Sequence, residues 1–155
     1  MVKTGKNNER NMHAVTHGIA TYNSLLRTKI NDYLKEQLKE CGYDDLVPSY
    51  GALLSIVYRN GGTVQIKVIY DSLLKQKTTI TEMINRLVKL GYLTKSQCTE
   101  DKRVTYVSVT ERSKAFKSDF DRISRELMNK IYGGFSEKEK QEFVDFMARA
   151  IDNFD

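Results

Sequence analysis

The stretch Lys75–Thr110, KQKTTITEMINRLVKLGYLTKSQCTEDKRVTYVSVT, decides the fold. Its first half repeats apolar residues at helical spacing, which predicts a helix over about Thr78–Leu90 with one buried face. Two runs rich in strand-forming residues follow, Tyr92–Gln97 and Val104–Val109, and they predict an antiparallel hairpin. The charged residues CTEDKR lie between them. The stretch is therefore a helix, a strand, a charged turn and a second strand.

The predicted helix has an apolar face and a polar face. Its apolar face ends before Gly91, where a glycine relieves the strain of a left-handed backbone. From Lys75 to Lys89 there are four basic residues and one acidic residue, Glu82, so positive charge is concentrated here, as nucleic-acid binding requires. The apolar positions are Ile80, Met83, Ile84, Leu87 and Leu90, and the polar positions include Lys77, Thr78, Thr81, Glu82, Asn85, Arg86 and Lys89.

Helices flank this stretch on both sides, with one short strand that we expect to join the hairpin. The last helix begins with a capping box, because Ser136 is followed three residues later by Glu139. The predicted elements are helices at about His13–Glu40, Ser49–Arg59 and Ile66–Leu74, a strand at Thr63–Gln65, a helix from Thr110 to Tyr132, and a last helix with apolar residues up to Phe154.

This order resembles a winged helix-turn-helix, and more narrowly the MarR family of bacterial transcription regulators. The resemblance covers about residues 22–154. It rests on the helix start KTTIT, the run INRLVKLGYLTK, the wing tip Asp101-Lys102-Arg103 and the exit VSVTERS. It implies a mainly α fold with a small antiparallel β-wing, in which a winged helix-turn-helix is flanked by N- and C-terminal dimerisation helices.

The resemblance also implies a domain organisation. We expect a single MarR-like domain over residues 1–155, with a DNA-binding module at 48–110 and dimerisation helices at 12–41 and 111–154. A homodimer with two-fold symmetry would place its recognition helices about 34–36 Å apart, which suits a pseudo-palindromic operator in double-stranded DNA. The chain departs from the family pattern at Tyr70, where a small residue is usual, and at Leu74 or Lys75, where a glycine is usual.

Composition agrees with a DNA-binding protein in the cytoplasm. The net charge of +5 suits an anionic partner. Cys41 and Cys98 have no paired spacing, which indicates a reducing compartment. We see no signal peptide and no run approaching the roughly 20 apolar residues of a membrane span, so we expect a soluble protein without membrane contact.

The candidate DNA contacts lie on the predicted helix and at the hairpin tip. Short threonines let the backbone approach DNA, Asn85 and Arg86 have the geometry to read adenine and guanine, and Glu82 can accept from cytosine or hold Arg86. At the wing, Arg103 would enter the minor groove while Asp101 holds it. The full set is Lys77, Thr78, Thr79, Thr81, Glu82, Asn85, Arg86, Lys89, Lys95, Asp101, Lys102 and Arg103.

Regulation by a small molecule is implied by the resemblance alone. Family effectors, often small aromatic anions, bind between the dimer helices and the winged domain. Such a ligand would release a repressor from its operator by shifting the population of dimer forms. Residues that would line such a pocket are Tyr22, Tyr50, Tyr58 and Arg86. Tyrosines at these positions are also ordinary packing residues.

Other functions have weaker support. His13 and His17 have a spacing that can hold a metal, and Cys98 lies beside the wing, so a metal- or redox-responsive regulator is an alternative. A second alternative is a winged-helix module that binds protein, although its binding face would be more apolar. We find no glycine-rich phosphate loop, metal-ligand cluster or catalytic triad, so we expect no enzyme activity and no cofactor.

Overall fold

The computed structural model describes the backbone of residues 5–154 and the side chains of residues 18–154. The chain forms two compact units, Met1–Asp119 and Phe120–Asp155. The prediction of one domain over residues 1–155 stays a prediction. The elements are α1 (Gly5–Glu40), a 3-10 turn (Pro48–Tyr50), α2 (Gly51–Arg59), β1 (Thr63–Gln65), α3 (Ile66–Ser72), α4 (Lys77–Lys89), β2 (Leu93–Gln97), β3 (Thr105–Val109), α5 (Glu111–Ile131) and α6 (Glu137–Asp152).

The predicted fold class is confirmed, since helices dominate and the three strands form one antiparallel sheet in the order β1-β3-β2. Val64 of β1 pairs with Val107 of β3, and Lys95 of β2 pairs with the same residue from the other side. Val64 and Val107 are both buried. The predicted short strand therefore joins the wing sheet, as expected.

The core of the first unit lies beneath α2, α4 and the sheet. Leu53, Leu54 and Val57 of α2 are buried, so α2 contributes one face of this core. The apolar face of α4 is buried with them, at Ile80, Met83, Ile84 and Leu87. Burial of this face, and not helix propensity alone, holds α4 in place.

Two helix ends differ from the sequence-based prediction. The first helix begins at Gly5 and not near His13, because residues 5–12 continue the helix without an apolar stripe that periodicity can detect. The third helix ends at Ser72 and not at Leu74, because Leu73 has an extended backbone (φ −103°, ψ 124°) that turns the chain toward α4. As a result, the Leu74 side chain is 94% exposed and does not lie on the buried face of α3.

The end of α4 has the predicted glycine. Gly91 has φ +78°, a conformation that an L side chain rarely adopts. Its N–H donates to the carbonyl of Val88 at 3.0 Å, and the N–H of Tyr92 donates to the carbonyl of Leu87 at 2.9 Å. This is a Schellman motif, which satisfies the last carbonyls of the helix and directs the chain into β2.

The Tyr92 side chain connects the segment that follows α4 to the start of α5. Its hydroxyl donates to Asp45 Oδ1 at 3.0 Å, and the guanidinium of Arg112 lies 4.4 Å from the ring centroid. Arg112 also donates to Asp45 Oδ2 at 2.7 Å and to the carbonyl of Leu90 at 2.7 Å. Tyr92 is fully buried, and β2 begins at the next residue. This cluster of contacts therefore holds the first strand of the wing in place.

Alkaline pH should weaken the folded state through this tyrosine. Burial, reinforced by the hydrogen bond to Asp45, raises the pKa of Tyr92 to about 12. The unfolded side chain titrates near 10, so the contribution to stability is complete below about pH 10 and is lost as the pH rises through about 12. We expect the free energy of unfolding in urea to fall more steeply over this interval for the wild type than for Tyr92→Phe. If the free energy of unfolding falls equally steeply with pH for both proteins, the pKa of Tyr92 is not raised in the folded state.

No helix formed by the described residues combines the length and hydrophobicity that a membrane span needs.

Candidate nucleic-acid interface

The polar face of α4 forms an exposed and mainly basic surface. It lies opposite the four buried apolar residues of the helix, so packing of the core turns it outward. Glu82 is the one acid of α4, and no ion pair or hydrogen bond with Arg86 is present among the described residues. The exposed candidate contacts on this helix are Lys77, Thr78, Thr79, Glu82, Asn85, Arg86 and Lys89.

Thr81 differs from its neighbours because its hydroxyl is used within the helix-turn-helix. Its Oγ1 donates to the carbonyl of Lys77 at 2.8 Å and shares a 2.8 Å hydrogen bond with the hydroxyl of Tyr70. The Lys77 ammonium lies 5.9 Å from the centroid of the Tyr70 ring. Tyr70 therefore joins α3 to α4. A DNA contact by Thr81 stays a prediction.

Asn85 is joined to the wing sheet. The ammonium of Lys95, on β2, donates a hydrogen bond to Asn85 Oδ1. This bond links α4 to β2 at the exposed surface. Sequence reasoning placed both residues at the interface, but their pairing depends on how the helix packs against the hairpin.

The hairpin tip contains the pair expected from the sequence. Arg103 donates through Nε to Asp101 Oδ1 at 3.1 Å and through Nη2 to Oδ2 at 3.2 Å, and its backbone N–H donates to Oδ1 at 2.9 Å. The arginine side chain is 91% exposed. Its hydrogen bonds hold the pKa of Asp101 below its usual range. The guanidinium is thus held at an exposed tip, beside the exposed Lys102.

A groove separates the start of α3 from the base of the wing. Its volume is about 360 Å³. We call it the wing-base groove, and its lining consists of Gln65, Ile66, Lys67, Tyr70, Arg103, Val104 and Thr105. Of these, only Arg103 was a candidate from the sequence. Lys67 and Gln65 were missed because the groove joins segments about 40 residues apart, and periodicity carries no signal for it.

The residues suggested for an effector pocket have different surroundings. Tyr58 donates from its hydroxyl to the carbonyl of Ser113 at 2.8 Å. Tyr22 on α1 is 62% exposed, Tyr50 is half-buried, and Arg86 is exposed on α4. Within residues 18–154, no hydrogen bond or ring contact joins any two of these four. Their role as an effector pocket stays a prediction.

The suggested sensing residues are only partly described. The side chains of His13 and His17 lie outside the described residues. Among the described residues, Cys41 and Cys98 are half-buried and neither forms a disulfide. Backbone hydrogen bonds from Asp101 and Glu100 lower the pKa of Cys98. The described side chains contain no group of three or more metal-binding residues.

Two helices carry exposed apolar faces, one in each compact unit. On α1 these residues are Ile19, Tyr22 and Leu25. On α6, which begins with the predicted capping box of Ser136 and Glu139, they are Val144, Phe146, Met147 and Ile151. Exposed apolar surface of this extent is typical of protein–protein contact.

Comparison with known proteins agrees with this geometry. A family model described as a winged helix DNA-binding domain matches residues 48–113. The HTH-type transcriptional regulator SarZ of Staphylococcus aureus is 28% identical over 131 residues, which covers 82% of this chain and 82% of SarZ.

Solved structures show the same fold at lower identity. A mutant MarR from E. coli complexed with operator DNA has a TM-score of 0.72 and 16% identity, covering 89% of this chain and 96% of that chain. The organohalide sensing RdhR transcriptional regulator in its 2,4-dichlorophenol bound form has a TM-score of 0.78 and 15% identity, covering 99% of this chain and 89% of that chain. With its exposed basic helix and its wing, the chain carries a winged helix DNA-binding domain at residues 48–113, and its fold is similar to that of solved MarR regulators.

Proposed function

We propose that this protein is a homodimeric repressor that binds a pseudo-palindromic operator in double-stranded DNA and leaves it when a small aromatic or anionic ligand binds. One observation carries this proposal: the exposed basic face of α4 and the Arg103 wing tip belong to one compact unit. The helix is suited to the major groove, and the arginine to the minor groove.

Dimer formation is supported by the exposed apolar faces of α1 and α6. A second copy of the chain would remove these faces from water, at roughly 25 cal/mol for each Å² of apolar surface buried. A symmetric dimer also explains how one chain reads two half-sites about one helical turn apart.

Ligand control is supported by a relative, since RdhR has been solved with 2,4-dichlorophenol bound. A ligand that prefers a dimer form with the wrong helix spacing would lower DNA affinity by population shift. We infer that the protein acts in the cytoplasm, where a regulator of this family meets its DNA, and that it catalyses no reaction.

The experiment is a titration of a fluorescent palindromic duplex, selected from a random pool, at two salt concentrations. A dimer that contacts about 6–10 phosphates should lose roughly 10³- to 10⁵-fold in affinity between about 50 and 200 mM salt. Two chains should bind each duplex, and a scrambled duplex should bind more weakly. Equal, weak binding to both duplexes would contradict a sequence-specific regulator and favour a protein-binding module.

A further inference from the structure

The wing-base groove presents positive charge and no negative charge. Two basic side chains line it, Lys67 from α3 and Arg103 from the wing, and none of its lining residues is acidic. Asp101 occupies Nε and Nη2 of Arg103, which leaves the Nη1 group free to donate. Lys67 is exposed and forms no ion pair within residues 18–154. These two cations suit an oxyanion.

The same groove also has an apolar wall. Ile66, Val104 and Tyr70 also line it. With a volume of about 360 Å³, the groove is much larger than a single inorganic ion. A phosphate attached to a sugar satisfies both features, because the phosphate would contact Lys67 and the sugar would cover the apolar residues.

The position of the groove points to the source of that phosphate. In a helix-turn-helix the first helix crosses the DNA backbone, and here that helix is α3, which carries Lys67. Arg103, which also lines the groove, is the candidate for the DNA minor groove. A DNA backbone passing from the helix-turn-helix to the wing would therefore run along this groove.

We propose that the wing-base groove docks one sugar–phosphate unit of the DNA backbone in each half-site, with Lys67 as a phosphate contact. This inference rests on the proposed function and extends it to a part of α3. Tyr70 lines the groove and also bonds Thr81, so the docked backbone lies next to the joint that sets the position of α4. By docking the backbone, the groove sets the position of α4 along the duplex.

The test uses the full-length protein with Lys67→Gln, measured by anisotropy on the selected duplex and on a scrambled one. Loss of one phosphate contact per half-site should weaken both complexes equally, by about three- to tenfold at low salt, because a phosphate contact carries no sequence information. The slope of log affinity against log salt should become shallower by about 0.9 for each lost contact. Lys67→Arg should restore the slope, and Lys138→Gln on α6 should leave it unchanged.

A methylphosphonate scan of the duplex then locates the contact. Replacing each backbone phosphate near the wing by a neutral methylphosphonate should reveal one position per half-site whose penalty is present for the wild type and absent for Lys67→Gln. If no such position exists, or if the salt slope of Lys67→Gln equals that of the wild type, the groove does not dock DNA. Binding of inorganic phosphate without such a position would likewise overturn the proposal in favour of a free anion.

Failure of this inference differs from failure of the proposed function. Tight, sequence-specific binding by the wild type that Lys67→Gln leaves unchanged would overturn only the groove. A wild type that binds no duplex specifically would overturn both. Because the Lys67 side chain is exposed, an unchanged thermal unfolding curve for Lys67→Gln shows that the variant remains folded.

Discussion

Replacing Arg103 by alanine should lower the affinity for the selected duplex by about 10- to 100-fold. A well-placed arginine on DNA contributes about 1–3 kcal/mol. The Arg103 guanidinium is already held by two hydrogen bonds to Asp101, so less side-chain entropy is lost on binding. The loss should be greatest where the duplex has an A·T-rich minor groove beneath the wing, since a narrow groove concentrates negative potential.

Anisotropy at fixed salt measures this effect, and two variants control for it. Arg103→Lys keeps the charge but not the planar fork, so it should recover only part of the affinity. Arg125→Ala removes an exposed arginine from α5 and should have no effect. If Arg103→Ala binds as tightly as Arg125→Ala, the wing tip does not contact DNA.

Leu87→Ala should lower the free energy of unfolding by about 3 kcal/mol. Leu87 is fully buried on the apolar face of α4, and truncation of a buried leucine removes apolar contacts and leaves a cavity. For a chain of this length the melting temperature should fall by roughly 6–12 °C.

Urea denaturation followed by circular dichroism measures the change. Lys89→Ala, an exposed residue of the same helix, should change the stability by no more than about 0.5 kcal/mol. A small effect of Leu87→Ala, comparable to that of Lys89→Ala, would mean that the apolar face of α4 is not packed as described.

Features that depend on neighbours along the chain were predicted well from the sequence. The apolar face of α4, the left-handed Gly91 and the capping box of Ser136 and Glu139 are all present. The Asp101–Arg103 pair also belongs to this class, because two residues of one turn meet without help from the rest of the fold. Helix ends were less accurate, as at Gly5 and Ser72, where polarity and backbone angle override periodicity.

The sequence by itself therefore determined the order of the elements, their buried faces and the basic surface of α4. Only the tertiary structure decided which distant side chains meet. Examples are Tyr92 with Asp45, Tyr70 with Thr81 on the neighbouring helix, and Lys67 and Arg103, which line the same groove. The physical reason is that periodicity reports which face of an element is buried, whereas a contact between elements depends on how those faces pack together.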